Sequence, residues 1–304
     1  MTGILCIDKP VGFTSFDVVA KMRGILHMRK IGHAGTLDPM ATGVLPLFLG
    51  GAAKAISLLP NQDKQYTATF RLGEESDTQD STGTVLHRQP VTATESELLA
   101  ALGQFRGEIL QTPPMYSAVK VGGKRLYDLA RRGLEVEREA RPVTIYALNL
   151  VANPQPDTYQ IDVRCSKGTY VRTLCHDIGR ALGCGAVMTA LRRTDSGGFL
   201  LADCITIEQA AQRMQQGRLR ECLVPLQQVF APLPRFELTE KQAGHLGNGV
   251  KMSLGQFAPP PVPGNIALYD QTGRFLGVGC CEPAAGILRA KKLFATWEDS
   301  NEIV

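Results

Sequence analysis

Long runs of apolar residues are missing from this chain of 304 residues. No stretch reaches the roughly 18–20 consecutive apolar residues that a membrane-spanning helix needs, and the N-terminus up to Lys9 lacks the basic and apolar parts of a secretory signal. We therefore expect no membrane association and a cytoplasmic location. Hydrophobic residues make up 44% of the chain and charged residues 20%. This balance is typical of folded globular proteins and excludes a disordered or fibrous chain.

Metal-binding and cofactor-binding patterns are also absent from the sequence. The eight cysteines form no CxxC pair and no spacing with histidine that would hold zinc. We interpret them as reduced thiols. A P-loop, a GxGxxG motif and an HExxH motif are likewise missing. The sequence therefore predicts a protein that works without a metal ion or a cofactor.

Positive charge is concentrated in one segment, although the whole chain carries a net charge of only +4. Between Lys120 and Arg141 seven basic residues stand against four acidic ones, a local excess of three positive charges. A solvated helix face and a surface for an anionic partner are both compatible with this pattern. The seven basic residues are Lys120, Lys124, Arg125, Arg131, Arg132, Arg138 and Arg141.

Hydrophobic periodicity and capping residues indicate strands mixed with helices. Apolar residues at every second position predict strands over residues 66–72 and 159–165, and an apolar run predicts a strand at 3–8. Capping boxes at Thr14–Asp17 and Thr94–Glu97 each predict a helix that follows them. Because these elements do not repeat as βαβ units, we expect an α+β fold built on a mixed, mostly antiparallel sheet with flanking helices.

The C-terminal part of the chain differs in composition from the rest. Prolines cluster between Pro225 and Pro234, and from Thr239 onward short strand-like pieces are separated by glycine and proline. We expect a boundary near Pro234. The sequence thus predicts a large domain over residues 1–234 and a small β domain over residues 235–304.

One aspartate stands out in the glycine-rich stretch Ile31–Gly51, which holds too many glycines and prolines for regular structure over its whole length. We expect this stretch to be loop with short strand pieces. Asp38 is followed by Pro39, which favours an extended conformation for the aspartate. Such a loop can hold a nucleophile rigidly, and it can equally be an ordinary turn begun by Asp-Pro.

The segment Gly32–Gly43 resembles the catalytic motif GHxGTLDPxAxG of the tRNA pseudouridine synthase B family, and every fixed position of that motif is filled. Four further blocks agree in the same order, and the similarity is strong from Gly3 to about the end of the second third of the chain. The resemblance implies a pseudouridine synthase catalytic domain followed by a small PUA-like RNA-binding domain. The blocks are Asp8-Lys9-Pro10, Tyr66 with Arg71-Leu72-Gly73 and Asp77-Thr78-Gln79-Asp80, Gln111-Thr112-Pro113-Pro114-Met115-Tyr116-Ser117-Ala118, and Ser166-Lys167-Gly168-Thr169-Tyr170-Val171-Arg172, with Leu191-Arg192-Arg193 closing the similarity.

The resemblance implies a reaction in which one uridine of the TΨC arm of tRNA, uridine 55, is flipped out of its stack and isomerised. Asp38 is then the carboxylate that attacks the nucleotide, at C6 of the base or C1′ of the sugar. Arg172 is the cation that keeps this carboxylate ionised. Tyr66 is placed against the uracil and helps remove the proton from C5. Judged from the residues alone, Arg172 can equally bind a phosphate, and Tyr66 can be an ordinary core residue.

The resemblance also implies residues that contact the RNA. Tyr170 and Leu191 are expected to line the pocket and His33 to stack inside the RNA loop. Lys9 is expected either to be structural or to lie near the site through backbone and phosphate contacts. An insertion at about 115–142 is expected to clamp the RNA arm through phosphate contacts from Lys120, Lys124, Arg131 and Arg141. Such contacts predict binding that weakens with salt. The expected partner is the TΨC stem-loop of tRNA, with no obligatory protein partner and a monomeric enzyme.

Two other interpretations compete with this one. A guide-RNA-dependent pseudouridine synthase shares the aspartate motif but works inside a protein complex, and the short stretch before Asp8 disfavours it. A non-catalytic RNA-binding or RNA-folding protein could retain the site as a relic. Intact Asp38, Tyr66 and Arg172 argue against such decay.

Overall fold

The computed structural model describes residues 1–294, and within them strands outnumber helices. Residues 295–304, the end of the predicted C-terminal domain, lie outside this described part. No helix up to residue 294 is long and apolar enough to cross a membrane. The α-helices are α1 (Ser15–Ile25), α2 (Glu95–Gln104), α3 (Leu126–Ala130), α4 (Val171–Ala181), α5 (Ile207–Gln215), α6 (Leu226–Val229) and α7 (Glu240–Gly247). The strands are β1 (Gly3–Lys9), β2 (Ile31–His33), β3 (Thr42–Leu49), β4 (Lys64–Leu72), β5 (Glu74–Ser76), β6 (Val85–Arg88), β7 (Gly107–Gln111), β8 (Lys120–Val121), β9 (Lys124–Arg125), β10 (Arg141–Gln155), β11 (Thr158–Cys165), β12 (Ala186–Ser196), β13 (Phe199–Leu200), β14 (Leu223–Val224), β15 (Arg235–Leu238), β16 (Met252–Ser253), β17 (Gly264–Asp270), β18 (Phe275–Glu282) and β19 (Ile287–Leu293).

A ten-stranded sheet forms the centre of the molecule. Its main path runs in the order β14-β1-β3-β12-β4-β11-β10-β7, while β2 and β13 pair at the side with β3 and β12. Within this sheet β3 and β12 run parallel, and the other neighbours are antiparallel. The prediction of an α+β fold on a mixed, mostly antiparallel sheet is confirmed.

Strand β4 and helix α1 show why the local sequence folds as it does. The alternating residues Tyr66, Ala68, Phe70 and Leu72 of β4 are buried on one face of the sheet, as a period of two requires. Helix α1 begins at the predicted capping box, in which the Thr14 side chain accepts from the backbone N–H of the third helical residue over 3.0 Å. Both elements are therefore where the sequence predicts them.

The glycine-rich stretch contains more regular structure than the sequence predicts. Strand β3 is eight residues long and almost fully buried, although it includes Gly43 and Pro46. Gly43 has φ +101°, and a Cβ there would collide with the backbone of Arg193 on β12, so glycine is what allows the two strands to approach. Pro46 lies just beyond the last paired residue of β2, where its missing N–H leaves the ladder with β1 intact.

The C-terminal strands form a separate five-stranded sheet in the order β15-β17-β18-β19-β16. Helix α7 lies beside this sheet, in a segment where short strand pieces were predicted. That prediction was wrong because Thr239 opens another capping box with Gln242, a signal that outweighs the glycines inside the helix. The rings of Phe275 and Phe294 stack on Phe230, with centroids 5.8 and 5.7 Å away. These contacts join the five-stranded sheet to the core of the large one.

Candidate active site

The turn that carries Asp38 connects β2 to β3 and is fixed on both sides. Ser15, buried at the start of α1, accepts from the N–H of Leu37 over 2.8 Å and donates to its carbonyl over 3.3 Å. On the other side, the N–H of Ala41 donates to the carbonyl of Asp38 over 3.0 Å. The capping turn of a helix thus holds the backbone that presents the carboxylate.

Lys9 fixes the backbone of this loop with its ammonium group. Its ammonium group donates to the carbonyls of Pro10, Phe13 and Pro39, the first at 2.9 Å and the last at 3.3 Å. The side chain is fully buried, and burial lowers the pKa of Lys9 to about 8, against the opposing attraction of Asp38. Of the two roles predicted for Lys9, a structural role or phosphate contacts near the site, its three carbonyl partners favour the first. In the structure, Lys9 stabilises the conformation of the loop.

Asp38 and Arg172 form an ion pair at the mouth of the site. Nη2 of Arg172 lies 3.4 Å from Oδ2 of Asp38, and the same nitrogen donates to the carbonyl of Tyr116. Arg172 is 5% exposed and the Asp38 side chain 37%. The carboxylate is therefore partly accessible to solvent, while the arginine is held inside the protein. The structure brings together the pair that the family resemblance implies.

A second carboxylate, Asp80, completes this arrangement and was given no role on the basis of the sequence. Its Oδ2 lies 3.7 Å from Nη1 of Arg172. Its Oδ1 accepts from the hydroxyl of Thr78 at 2.8 Å and from the hydroxyl and N–H of Thr82 at 2.6 and 3.0 Å. Threonines two residues before and after an aspartate are the sequence signal of such a locked carboxylate. Nothing in that signal names Arg172 as the partner.

Opposing influences act on the acidity of Asp38. Burial raises its pKa, Arg172 and Lys9 lower it, and the charge of Asp80 raises it. The net result is a pKa above that of an ordinary aspartate. At neutral pH the two cations favour the ionised form, which is the form that can act as a nucleophile.

Tyr66 and Leu191 form a wall of the site on neighbouring strands. Leu191 of β12 lies opposite Ala68 of β4, two residues from Tyr66 on the same face of the sheet. Tyr66 is 6% and Leu191 8% exposed, and both pack in the same cluster as Leu37 of the catalytic loop. Burial raises the pKa of the Tyr66 phenol. The wall is thus apolar apart from one buried hydroxyl group.

Tyr170 is positioned by Gln111, which the sequence did not single out as a site residue. The Tyr170 N–H donates to Oε1 of Gln111 at 2.7 Å, and Nε2 of Gln111 donates to the Tyr170 carbonyl at 3.1 Å. The guanidinium carbon of Arg172 lies 5.9 Å from the centre of the Tyr170 ring. A buried amide therefore fixes the residue that begins α4, just before the arginine of the ion pair.

His33 and the predicted basic residues lie at different places around the loop and the insertion. His33 ends β2 and is half-buried, and burial together with the charge of Arg193 lowers its pKa, so the ring is neutral at pH 7. Arg131 stacks over Tyr127, and Arg141 begins β10 opposite Gln111. Neither residue lines the basic concavity of about 470 Å³ in the insertion. That concavity is lined by Lys120, Gly123, Lys124, Arg125, Asp128, Leu129 and Arg132.

No group of three or more His, Cys, Asp or Glu side chains suited to a metal ion occurs in the part of the chain that the structure describes. The cysteines, all of which lie within that part, are free.

The fold places a loop carboxylate and its arginine near a wall of tyrosine and leucine, an arrangement suited to an enzyme. The chain belongs to the TruB family of pseudouridylate synthases and is thus a pseudouridine synthase, an isomerase. Residues 23–171 match the family's N-terminal domain, residues 172–231 the tRNA pseudouridylate synthase B C-terminal domain, and residues 234–294 the C-terminal model of pseudouridine synthase II TruB.

Relatives and solved structures agree with this family over nearly the whole chain. Proteins named tRNA pseudouridine synthase B from Aromatoleum aromaticum and Geobacillus thermodenitrificans are 46% and 41% identical, each over 97% of this chain and over 93% and 100% of their own length. A chain in the crystal structure of a Cbf5-Nop10-Gar1 complex superposes with a TM-score of 0.75 at 26% identity, covering 97% of this chain and 86% of that one. The family resemblance is therefore confirmed.

Proposed function

We propose that this chain isomerises uridine 55 in the TΨC arm of tRNA to pseudouridine, with Asp38 as the catalytic carboxylate. The observation that carries the proposal is the Asp38–Arg172 ion pair, in which the carboxylate is partly exposed and its cation is buried. The relatives at 46% and 45% identity are named for tRNA, whereas the likeness to a chain of the Cbf5-Nop10-Gar1 complex is 26%. This difference supports tRNA as the substrate. The proposal includes a monomeric enzyme in the cytoplasm that needs no obligatory protein partner.

In the proposed reaction, ionised Asp38 attacks the flipped nucleotide and the bond between N1 of uracil and C1′ of ribose breaks. The uracil rotates, C5 forms the new bond to C1′, and the bond between Asp38 and the nucleotide breaks, which restores the free carboxylate. Arg172 keeps Asp38 ionised and oriented. Tyr66, Tyr170 and Leu191 hold the base, and their contacts offset part of the free energy that unstacking costs. The Tyr66 oxygen accepts the proton that C5 loses.

Three other parts of the chain bind the RNA in this proposal. His33 stacks inside the RNA loop in the place that the extruded bases had occupied. The insertion at 115–142 clamps the arm through Lys120, Lys124, Arg131 and Arg141, whose phosphate contacts position the RNA without reading its sequence. Within the proposed division at residue 234, the appendage over 235–304 is a PUA-like domain that contributes to binding the acceptor side of the tRNA.

The direct test is to map pseudouridine in an unmodified tRNA transcript after incubation with the purified chain, with a chelator present and no cofactor added. We expect modification at position 55 alone, and none in a transcript that carries cytidine there. A requirement for a guide RNA or a protein partner would favour the complexed class of synthase. RNA that is bound but not converted would favour the non-catalytic binding protein.

A further inference from the structure

Arg193, on β12, is a buried cation for which the proposed reaction has so far no use. Its side chain is 0% exposed and belongs to the largest fully buried ones. Among residues 1–294 no carboxylate oxygen lies within 4.0 Å of its guanidinium. A buried charge normally needs a partner, since removing it from water costs several kcal/mol in order of magnitude. An unpaired buried arginine beside an active site therefore calls for a function.

Two of the donors of Arg193 hold the ends of the catalytic loop. Nε donates to the carbonyl of Val44 at 2.7 Å, and Nη2 donates to the carbonyl of Gly35 at 3.0 Å. Gly35 has φ +76°, and a Cβ there would lie 3.1 Å from Nη1. The third nitrogen, Nη1, is buried and makes no hydrogen bond. The loop thus fixes the guanidinium while leaving one donor available.

The phenol of Tyr66 lies on the neighbouring strand within reach of this guanidinium, since the charge and the side chain of Arg193 both act on it. Arg193 lies directly opposite Tyr66 in the β12–β4 register, so the two side chains stand on the same face of adjacent strands. The charged and titratable groups acting on the phenol are Arg193 from β12, Cys165 from β11 and Asp38 from the catalytic loop. Burial, Cys165 and Asp38 raise the pKa of Tyr66, and Arg193 lowers it. Arg193 is therefore the cation among these groups.

We propose that Arg193 is a positioning residue for Tyr66, holding the phenol oxygen and stabilising its negative charge so that it can take the C5 proton. The proton transfer in this inference rests on the proposed function, whereas the pairing of Arg193 with Tyr66 does not. Tyr66 enters the step as phenolate after losing its own proton to water. The C5–H bond then breaks, its proton goes to the Tyr66 oxygen, and its electron pair restores the C5–C6 double bond. N1 gains a proton from water, so the isomerisation remains balanced.

The pairing is tested without RNA by NMR titration of protein labelled with ¹³C at the Cζ of tyrosine. The chain has seven tyrosines, and the signal of Tyr66 is identified by its loss in Tyr66→Phe. We expect the titration midpoint to rise by about 1 pH unit or more in Arg193→Met and to change less in Arg193→Lys, which keeps a charge. Arg192→Met, which alters the neighbouring arginine paired with Asp8 at 2.8 Å, should leave the midpoint unchanged.

The kinetic arm measures single-turnover isomerisation of a TΨC stem-loop across pH. We expect the rate to rise with pH through the Tyr66 midpoint, and Arg193→Lys to move this rise to higher pH. In the Tyr66→Phe background, Arg193→Lys should no longer move the pH dependence, and any remaining loss of rate reports the contacts of Arg193 with the loop carbonyls. An unchanged midpoint in both Arg193 variants, or a wild-type Tyr66 that stays protonated until the protein unfolds, would overturn the inference. An inactive wild-type chain with the expected NMR result would instead overturn the proposed function alone.

Discussion

Nη1 of Arg172 lies 3.7 Å from Oδ2 of Asp80, so the cation that meets the proposed nucleophile is itself anchored by a second carboxylate. Its other nitrogen, Nη2, reaches Asp38 at 3.4 Å. Arg172 and Asp80 are 5% and 4% exposed, and a buried charge of this kind is costly to leave without its partner. The orientation of the catalytic carboxylate therefore depends on a pair formed behind it.

Replacing Arg172 by lysine should slow the chemical step by about 100-fold. A lysine ammonium is a single point charge and cannot span two carboxylates and the Tyr116 carbonyl as the planar guanidinium does. The measurement is a single-turnover rate with the RNA affinity determined separately. Arg180→Lys, an exposed change on the same helix, is the matched control. A wild-type rate in Arg172→Lys would exclude the bridging role.

Activity should fall at acidic pH because Asp38 must be ionised to attack. Its pKa is raised above the usual 3.8, chiefly by burial, so protonation begins at a higher pH than for an exposed aspartate. The charge of Asp80 contributes to this rise. In Asp80→Asn we therefore expect the acid limb of the single-turnover profile to move to lower pH, even though the maximal rate drops. A limb that stays in place or moves upward would contradict this assignment.

Gln111→Ala should destabilise the protein by about 1–3 kcal/mol, because it leaves the N–H and carbonyl of Tyr170 without their partners. Gln111 is 2% exposed, so water does not readily replace the missing amide. Urea unfolding measures the change. Gln104→Ala, at the exposed end of α2, should alter stability by less than about 0.5 kcal/mol. Equal stabilities for the two variants would show that the buried amide does not hold Tyr170.

Changing both Lys120 and Lys124 to alanine should weaken RNA binding most at low salt. Both line the basic concavity of the insertion, and removing one lysine–phosphate interaction should reduce the slope of log K against log salt by about 0.7–0.9. Filter binding at several salt concentrations measures this slope. Arg220→Ala removes an exposed cation outside the insertion and should leave it unchanged. An equal decrease in affinity at all salt concentrations would argue against phosphate binding by these lysines.

The elements that were predicted correctly are those set by residues close to one another in the sequence. The capping box at Thr14 and the alternation that begins at Tyr66 are local signals, and both elements form as expected. The regular strand around Gly43 was missed because only the approach of Arg193 on β12 explains a glycine inside it. Helix α7 was missed because its glycines were given more weight than the cap at Thr239. Both errors come from treating glycine as a breaker without its tertiary context.

The same difference between local signals and tertiary contacts separates the site residues that were predicted from those that were not. Asp38 and Arg172 were predicted through the family motif, and the structure places them together. The partners that hold them were not assigned, since the contacts of Asp80 with Arg172 and of Gln111 with Tyr170 join distant parts of the chain. For Lys9 both a structural role and phosphate contacts near the site were open, and only the folded loop reveals the carbonyls that take its donors. Supporting residues of this kind are set by topology rather than by local pattern.

The most direct test of the central claim is a single-turnover assay of Asp38→Asn on a tRNA transcript, with RNA affinity measured in parallel. Asparagine has nearly the same shape but cannot supply an anionic oxygen. We predict that the variant binds the RNA as the parent protein does and forms no pseudouridine, while Asp77→Asn, an exposed control, remains active. Conversion by Asp38→Asn at the parental rate would contradict the role of Asp38.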